Sequence, residues 1–98
     1  MPIRWTASAD KHGIPHDQVL YAMTHWVWLV PEFDEPRIGG RRPDLYIGPT
    51  RLGGPMIEVM VTRTPPRDLE VFHVMPLRDK IRQRAERAEA EQKNEEGK

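Results

Sequence analysis

The sequence contains no cysteine, which excludes disulfide bonds, thiolate metal sites and thiol catalysis. It also has no long hydrophobic run, so we expect neither a secretory signal nor a membrane span. No single sign of charge dominates, because 15 Lys and Arg residues balance 15 Asp and Glu residues. Overall charge therefore cannot drive polyanion binding, and any such binding must be local. Together these absences predict a soluble cytoplasmic protein.

The length of 98 residues predicts one small domain, which we place at residues 1–88. The remaining residues, 89–98, form a charged tail that ends with nothing apolar to bury. We expect this tail to fray or to be disordered. A chain this short leaves no room for a separate cofactor-binding fold, and we expect no cofactor.

The spacing of apolar residues predicts an α+β fold with two helices. After a short N-terminal strand, Pro15 and Asp17 mark the start of a helix. The apolar stripe of this helix consists of Val19, Ala22, Met23 and Trp26. Four strands are predicted at residues 27–33, 44–48, 56–62 and 69–75. A basic helix follows the last strand and ends the domain.

The connections between these four strands are too short to hold a crossover helix. We therefore expect a curved, antiparallel, four-stranded sheet, joined by the short N-terminal strand and covered by the helices on one face. The predicted order of elements is β-α-β-β-β-β-α.

A lone histidine, His73, lies near the end of the last predicted strand, just before Arg78, Lys80 and Arg82. An imidazole can gain or lose a proton near neutral pH, and a cluster of cations attracts a polyanion. The combination indicates nucleic acid, and RNA in particular. The alternative is a partly buried histidine that donates to a backbone carbonyl. Strand alternation places His73 on one face with Val71 and Met75, which leaves its direction open.

Several short motifs point to one family when they are taken together. They are Trp5, Lys11-His12-Gly13-Ile14 before a helix, Phe33-Asp34-Glu35-Pro36, Tyr46-Ile47-Gly48, Ile57-Glu58-Val59-Met60-Val61-Thr62, and a final strand passing into a basic helix. Over roughly residues 5–87 the chain resembles the BrnT family of bacterial toxins, as a divergent member. The resemblance implies a RelE-like fold and a ribosome-independent endoribonuclease, the toxin of a type II toxin–antitoxin system.

Cleavage of RNA by its own 2′-hydroxyl needs a base, an acid and cations near the phosphate. The residues that fit these roles are Lys11, Glu58, His73 and Arg78, which we predict to be catalytic. If Ile57 and Val59 face the core, Glu58 projects from the opposite face, where a ligand can reach it. The predicted RNA-binding residues are His12, Arg41, Arg42, Lys80 and Arg82.

The chain departs from the family at Met75, where the family commonly has an arginine. This departure favours a second class of function, a non-catalytic protein-interaction module on the same fold. The retained His73 beside basic residues favours the ribonuclease. The partners expected for the toxin are RNA and a cognate antitoxin, a small DNA-binding protein that could form a higher-order complex with it.

Three further features each have two interpretations. Trp26 and Trp28 could stack on bases, but aromatic residues at such spacing more often form core or a patch for a protein partner. The arginines of the loop at residues 37–42 could contact phosphate or balance nearby acidic residues. His12 and His16 have metal-ligand spacing, but Gly13 and Pro15 break the helix that this spacing needs, and we expect no metal.

Overall fold

The computed structural model describes residues 3–33, 42–64 and 68–96. The elements follow one another as β1 (Ile3–Trp5), α1 (His16–Thr24), β2 (Trp28–Val30), β3 (Asp44–Pro49), β4 (Met56–Thr64), β5 (Asp68–Pro76) and α2 (Asp79–Glu96). The predicted α+β class with two helices is confirmed. Neither helix has the length and apolarity that crossing a bilayer requires, within the described ranges.

The five strands form one mixed sheet in the order β1-β5-β4-β3-β2. Strands β2 to β5 pair antiparallel with their sequence neighbours, as the short connections predicted. β1 pairs parallel to β5, with Ile3 opposite Leu69, so the sheet is not wholly antiparallel. The parallel pairing is possible because β1 and β5 are joined through the long intervening chain and not by a tight turn.

The two helices pack on opposite faces of the sheet, and the prediction of one covered face was wrong. On one face, α1 contributes Val19 and Ala22 to a core that includes Val59. On the other face, α2 contributes Ile81 and Ala85 to a second core. The reason lies in the strands: both alternating sets of side chains are largely apolar, so both faces must be covered.

β2 is shorter than predicted, three residues in place of the seven from 27 to 33. The strand stops at Pro31 and at Glu32, whose φ of 52° is incompatible with a strand. The backbone N–H of Glu32 donates to the Asp44 carboxylate at 3.1 Å, which fixes this turn against the start of β3. Arg84 of α2 then packs on the next residue, with its guanidinium 4.1 Å from the Phe33 ring centroid.

The first helix buries Val19 and Ala22 as its apolar spacing predicts. It ends at Thr24, whose hydroxyl donates back to the carbonyl of Leu20 at 3.0 Å. Trp26 therefore lies beyond the helix and is 48% exposed, so its place in the helical stripe was wrong. At the other end of the chain, α2 runs through Glu96, past the predicted domain boundary at residue 88. Fraying of residues 89–98 in solution stays a prediction.

The α1 helix approaches the sheet most closely at Gly48 of β3. A Cβ atom placed there would overlap the backbone carbonyl of Ala22, which cannot move without shifting the helix. We expect Gly48→Ala to lower the free energy of unfolding by about 3 kcal/mol, the upper part of the usual range for overpacking. Urea denaturation at constant pH measures this loss.

The matched control is Gly53→Ala, where φ is +71° and no atom lies within 4 Å of the added Cβ. In that variant the only cost is that alanine must adopt the left-handed backbone conformation, which lowers the free energy of unfolding by about 1 kcal/mol. An equal or smaller loss at position 48 than at position 53 would show that α1 does not pack this tightly on β3.

Candidate functional site

Three of the four predicted catalytic side chains meet where β4 begins and β5 ends. The Glu58 carboxylate accepts a hydrogen bond from Nε2 of His73 at 2.7 Å and from Nη2 of Arg78 at 2.6 Å. The Nε of Arg78 lies 3.1 and 3.2 Å from the two carboxylate oxygens, and its backbone N–H donates at 3.1 Å. We call these three residues the Glu58 cluster. In this cluster, donors from His73 and Arg78 surround the Glu58 carboxylate on several sides.

Glu58 reaches this position by simple strand alternation. Its neighbours Ile57 and Val59 face the core on the α1 side, so the Glu58 side chain points to the α2 side. The side chain is fully buried, with 0% exposure. The prediction of the opposite face was correct, but that face is covered, and the predicted access of a ligand to Glu58 was wrong.

His73 reaches the same side through a β-bulge in β5. Met60 is opposite His73, and the next residue, Val61, is opposite Val71, so Phe72 is an extra residue on β5 between these two positions. Val71 belongs to the core on the α1 side, whereas Phe72 belongs to the core on the α2 side. The predicted sharing of a face between His73 and Val71 was therefore wrong, because the extra residue reverses the alternation between them.

Arg78 is held by its backbone as well as by its side chain. The preceding residue, Leu77, donates to the carbonyl of Met56 at 3.1 Å, which extends the β4–β5 pairing to the end of the strand. The carbonyl of Arg78 accepts the amides of Ile81 and Arg82 at 3.1 and 3.0 Å, which begins α2. One residue thus joins the buried carboxylate to the start of the second helix.

The hydrogen bonds of the Glu58 cluster fix the tautomer of the imidazole. A carboxylate accepts only, so Nε2 of His73 must be the donor to Glu58. In the neutral ring, Nδ1 then carries the lone pair, and it has no hydrogen-bond partner within the described part of the chain. The His73 side chain is 27% exposed and that of Arg78 35%, so both reach solvent while Glu58 does not.

The electrostatics of the cluster keep Glu58 ionised. Burial acts to raise the pKa of Glu58, but the hydrogen bonds from His73 and Arg78 and the positive charge of Arg78 outweigh it. The net result holds the pKa below the usual value of 4.5. The same hydrogen bond to Glu58 raises the pKa of the Arg78 guanidinium above its ordinary value. Both groups therefore stay charged at neutral pH.

The fourth predicted catalytic residue, Lys11, lies elsewhere. Lys11 and His12 are exposed in the turn between β1 and α1, near Ala9, which packs in the core on the α1 side. No hydrogen bond or ion pair links either residue to the Glu58 cluster among the described contacts. The chain passes from β1 to α1 on the far side of the sheet from Glu58, a separation that sequence spacing does not reveal.

The predicted RNA-binding lysine and arginines lie in different parts of the structure. Arg82 and Lys80 follow Arg78 on α2 and are exposed, but Arg82 pairs with Asp79 at 3.2 Å and lies 4.0 Å from Glu86. This pairing matches the helical spacing of these charges. Arg42 lies 3.9 Å from Glu32. Arg41 lies outside the described residues.

A second carboxylate–imidazole pair escaped the sequence interpretation. Nε2 of His16 lies 2.6 Å from the Asp10 carboxylate, and the His16 ring stacks on Trp5 with centroids 3.7 Å apart. Both partners are exposed, at 44% and 53% of their side chains. The spacing of six residues across a turn has no characteristic signature. Within the described residues, no three His, Cys, Asp or Glu side chains group as metal ligands would.

Comparison of this chain with protein-family models, with curated proteins and with solved structures finds no match. The site is therefore interpreted from its own geometry.

The buried carboxylate should make stability depend on pH in one direction. Because the pKa of Glu58 is lower in the folded chain than in the unfolded chain, Glu58 stabilises the fold above pH 4.5, and this stabilisation is lost as pH falls through the folded-state pKa. Glu58→Gln removes the buried negative charge that pairs with Arg78 and should cost about 3 kcal/mol at pH 7. The difference in free energy of unfolding between the variant and the native chain should be smaller below pH 4.5 than at pH 7. Urea denaturation at pH 7 and at a pH below 4.5 measures this difference.

The control is Glu86→Gln, which removes an exposed α2 carboxylate 4.0 Å from Arg82. We expect this variant to stay within about 0.5 kcal/mol of the native chain at either pH. A Glu58→Gln variant as stable as the control at pH 7 would contradict the ion pair.

Proposed function

We propose that this protein is a metal-independent endoribonuclease and the toxin of a type II toxin–antitoxin pair. The observation that carries the enzymatic part is the solvent-reaching imidazole of His73, oriented by the buried carboxylate of Glu58 beside the guanidinium of Arg78. The toxin assignment and the RelE-like fold rest on the resemblance of the sequence to the BrnT family.

In the proposed reaction, Nδ1 of His73 takes the proton of an RNA 2′-hydroxyl. The 2′-oxygen attacks the adjacent phosphorus and the bond from phosphorus to the 5′-oxygen breaks, which leaves a 2′,3′-cyclic phosphate and a 5′-hydroxyl. The leaving oxygen takes its proton from solvent. A base positioned within hydrogen-bond reach contributes about 10²- to 10⁴-fold in rate.

Glu58 acts in this scheme as a positioning residue, because it is buried and cannot touch RNA. It holds the proton on Nε2 and stabilises the imidazolium that forms when Nδ1 accepts a proton. Arg78 binds Glu58 through Nε and Nη2, which leaves the N–H groups of Nη1 for a phosphate oxygen. A guanidinium there would stabilise the charge of the pentavalent phosphorus.

The second candidate is a non-catalytic interaction module. It is favoured by the exposed apolar side chains of Trp26 and Val27, which are 48% and 51% exposed next to the edge of the sheet. Apolar groups clustered in this way are typical of a protein-binding surface. Both candidates predict a protein partner, so only cleavage of RNA separates them.

Purified protein should cleave RNA in the presence of a chelator, and the products should carry 2′,3′-cyclic phosphates. His73→Gln should lower the cleavage rate by about 10²-fold or more, because a glutamine amide cannot act as a base. Gel analysis of a labelled RNA over time measures the rate, and phosphatase resistance identifies the cyclic end.

The chain offers a matched control for this experiment in His16→Gln. His16 is also bonded to a carboxylate, at 2.6 Å, but it lies on α1, away from the Glu58 cluster. We expect its cleavage rate to be unchanged. Equal losses in the two variants, or equal activity in both, would remove His73 from the reaction. Absence of cleavage by the native protein would favour the interaction module.

The toxin assignment predicts an effect in cells. Induction of this chain in a bacterium should arrest growth and shorten bulk RNA, and His73→Gln at equal expression should relieve both effects, whereas His16→Gln should not. Co-expression of the adjacent gene should restore growth if that gene encodes the antitoxin. Cleavage in vitro without growth arrest would retain the ribonuclease and reject the toxin.

A further inference from the structure

We propose that the edge of the sheet at β2, together with the facing side of α2, docks an extended protein segment that carries lysine or arginine. We call this surface the β2–α2 groove. The inference is independent of the Glu58 cluster and holds whether or not the chain cleaves RNA.

The groove is a cavity of about 470 Å³ between β2 and the second half of α2. One wall consists of the consecutive residues 26–31, and the other includes Ala85, Ala88 and Glu91. Side chains of a strand alternate between faces, so a cavity lined by every residue in turn follows the edge of the strand. The ligand that fits such an edge is another extended backbone.

β2 lies at the end of the sheet, paired with β3 on one side only in the described part of the chain. An edge strand presents backbone donors and acceptors that can pair with an added strand. The edge is also apolar, since Trp26 and Val27 are each about half exposed, at 48% and 51%. The small side chain of Ala88, which is partly exposed, leaves space beside β2 for the side chains of an incoming strand.

The negative charge along the β2–α2 groove indicates a partner that carries positive charge. Glu91 of α2 lines the groove and is exposed. A partner with lysine or arginine beside its apolar residues would complement this carboxylate. A second copy of this chain that paired through its own β2 edge would not, because residues 26–31 carry no lysine or arginine. Charge therefore favours a basic foreign segment over self-association.

The first experiment selects peptides from a random displayed dodecamer library on the native protein, with counter-selection on Ala88→Phe. That substitution fills the groove from a partly exposed helical position, and circular dichroism checks that the variant is folded. We expect enriched peptides to alternate apolar with other residues and to contain lysine or arginine. No enrichment over the counter-selection, or enrichment of acidic peptides, would overturn the proposal.

The second experiment measures binding of one enriched peptide by fluorescence anisotropy. Glu91→Lys should weaken it by about fivefold, the effect of one exposed charge contact. The matched control is Glu86→Lys, the same change at an exposed α2 glutamate that does not line the groove, and it should leave affinity within about twofold. Equal weakening by both variants would show that only overall charge matters, and it would overturn the site.

Amide hydrogen exchange tests whether the backbone of the bound peptide pairs with β2. Binding should slow amide hydrogen exchange in β2 and leave exchange in β1, at the opposite edge, unchanged. Protection at β1 instead of β2 would overturn the proposal. So would a concentration-dependent dimer of the native chain in sedimentation that Ala88→Phe abolishes, because the occupant would then be a second copy.

Discussion

The structure depends on one buried charge. Glu58 is fully buried and ionised, and a carboxylate in that position is tolerable only where donors surround it. The bulge that turns His73 to the α2 side and the position of Arg78 just before α2 supply these donors. The hydrogen bonds that would orient the His73 imidazole as a base are thus the ones that the buried Glu58 carboxylate requires. The same contacts therefore stabilise both the candidate site and the fold.

The two faces of the sheet differ in what borders their cores. On the α1 side, apolar contacts and the close approach of Ala22 to Gly48 produce a closed core, and the carboxylate–imidazole pair of Asp10 and His16 lies exposed at its border. On the α2 side, the apolar core is bordered by the Glu58 cluster at one end and by the β2–α2 groove along the edge of the sheet. α2 lines the groove and begins directly after Arg78, so the same helix connects the two places.

Much of this arrangement could be predicted from the sequence, and the failures have physical causes. The strand around Glu58 alternates regularly, so its direction could be predicted, but its burial could not, because that depends on which face α2 covers. The direction of His73 required knowledge of the bulge at Phe72, which leaves no mark in residue type. Lys11 was grouped with Glu58 by chemistry alone, and the path of the chain from β1 to α1 separates them.

The parallel pairing of β1 with β5 has a consequence for the synthesis of the chain. Ile3 cannot meet Leu69 until Leu69 itself has left the ribosome, and contacts so distant in sequence form late in folding. His73 and Arg78 are translated later still. A nascent or prematurely terminated chain that lacks them cannot assemble the cluster, so the cell would meet any activity of this site only in molecules that extend beyond Arg78.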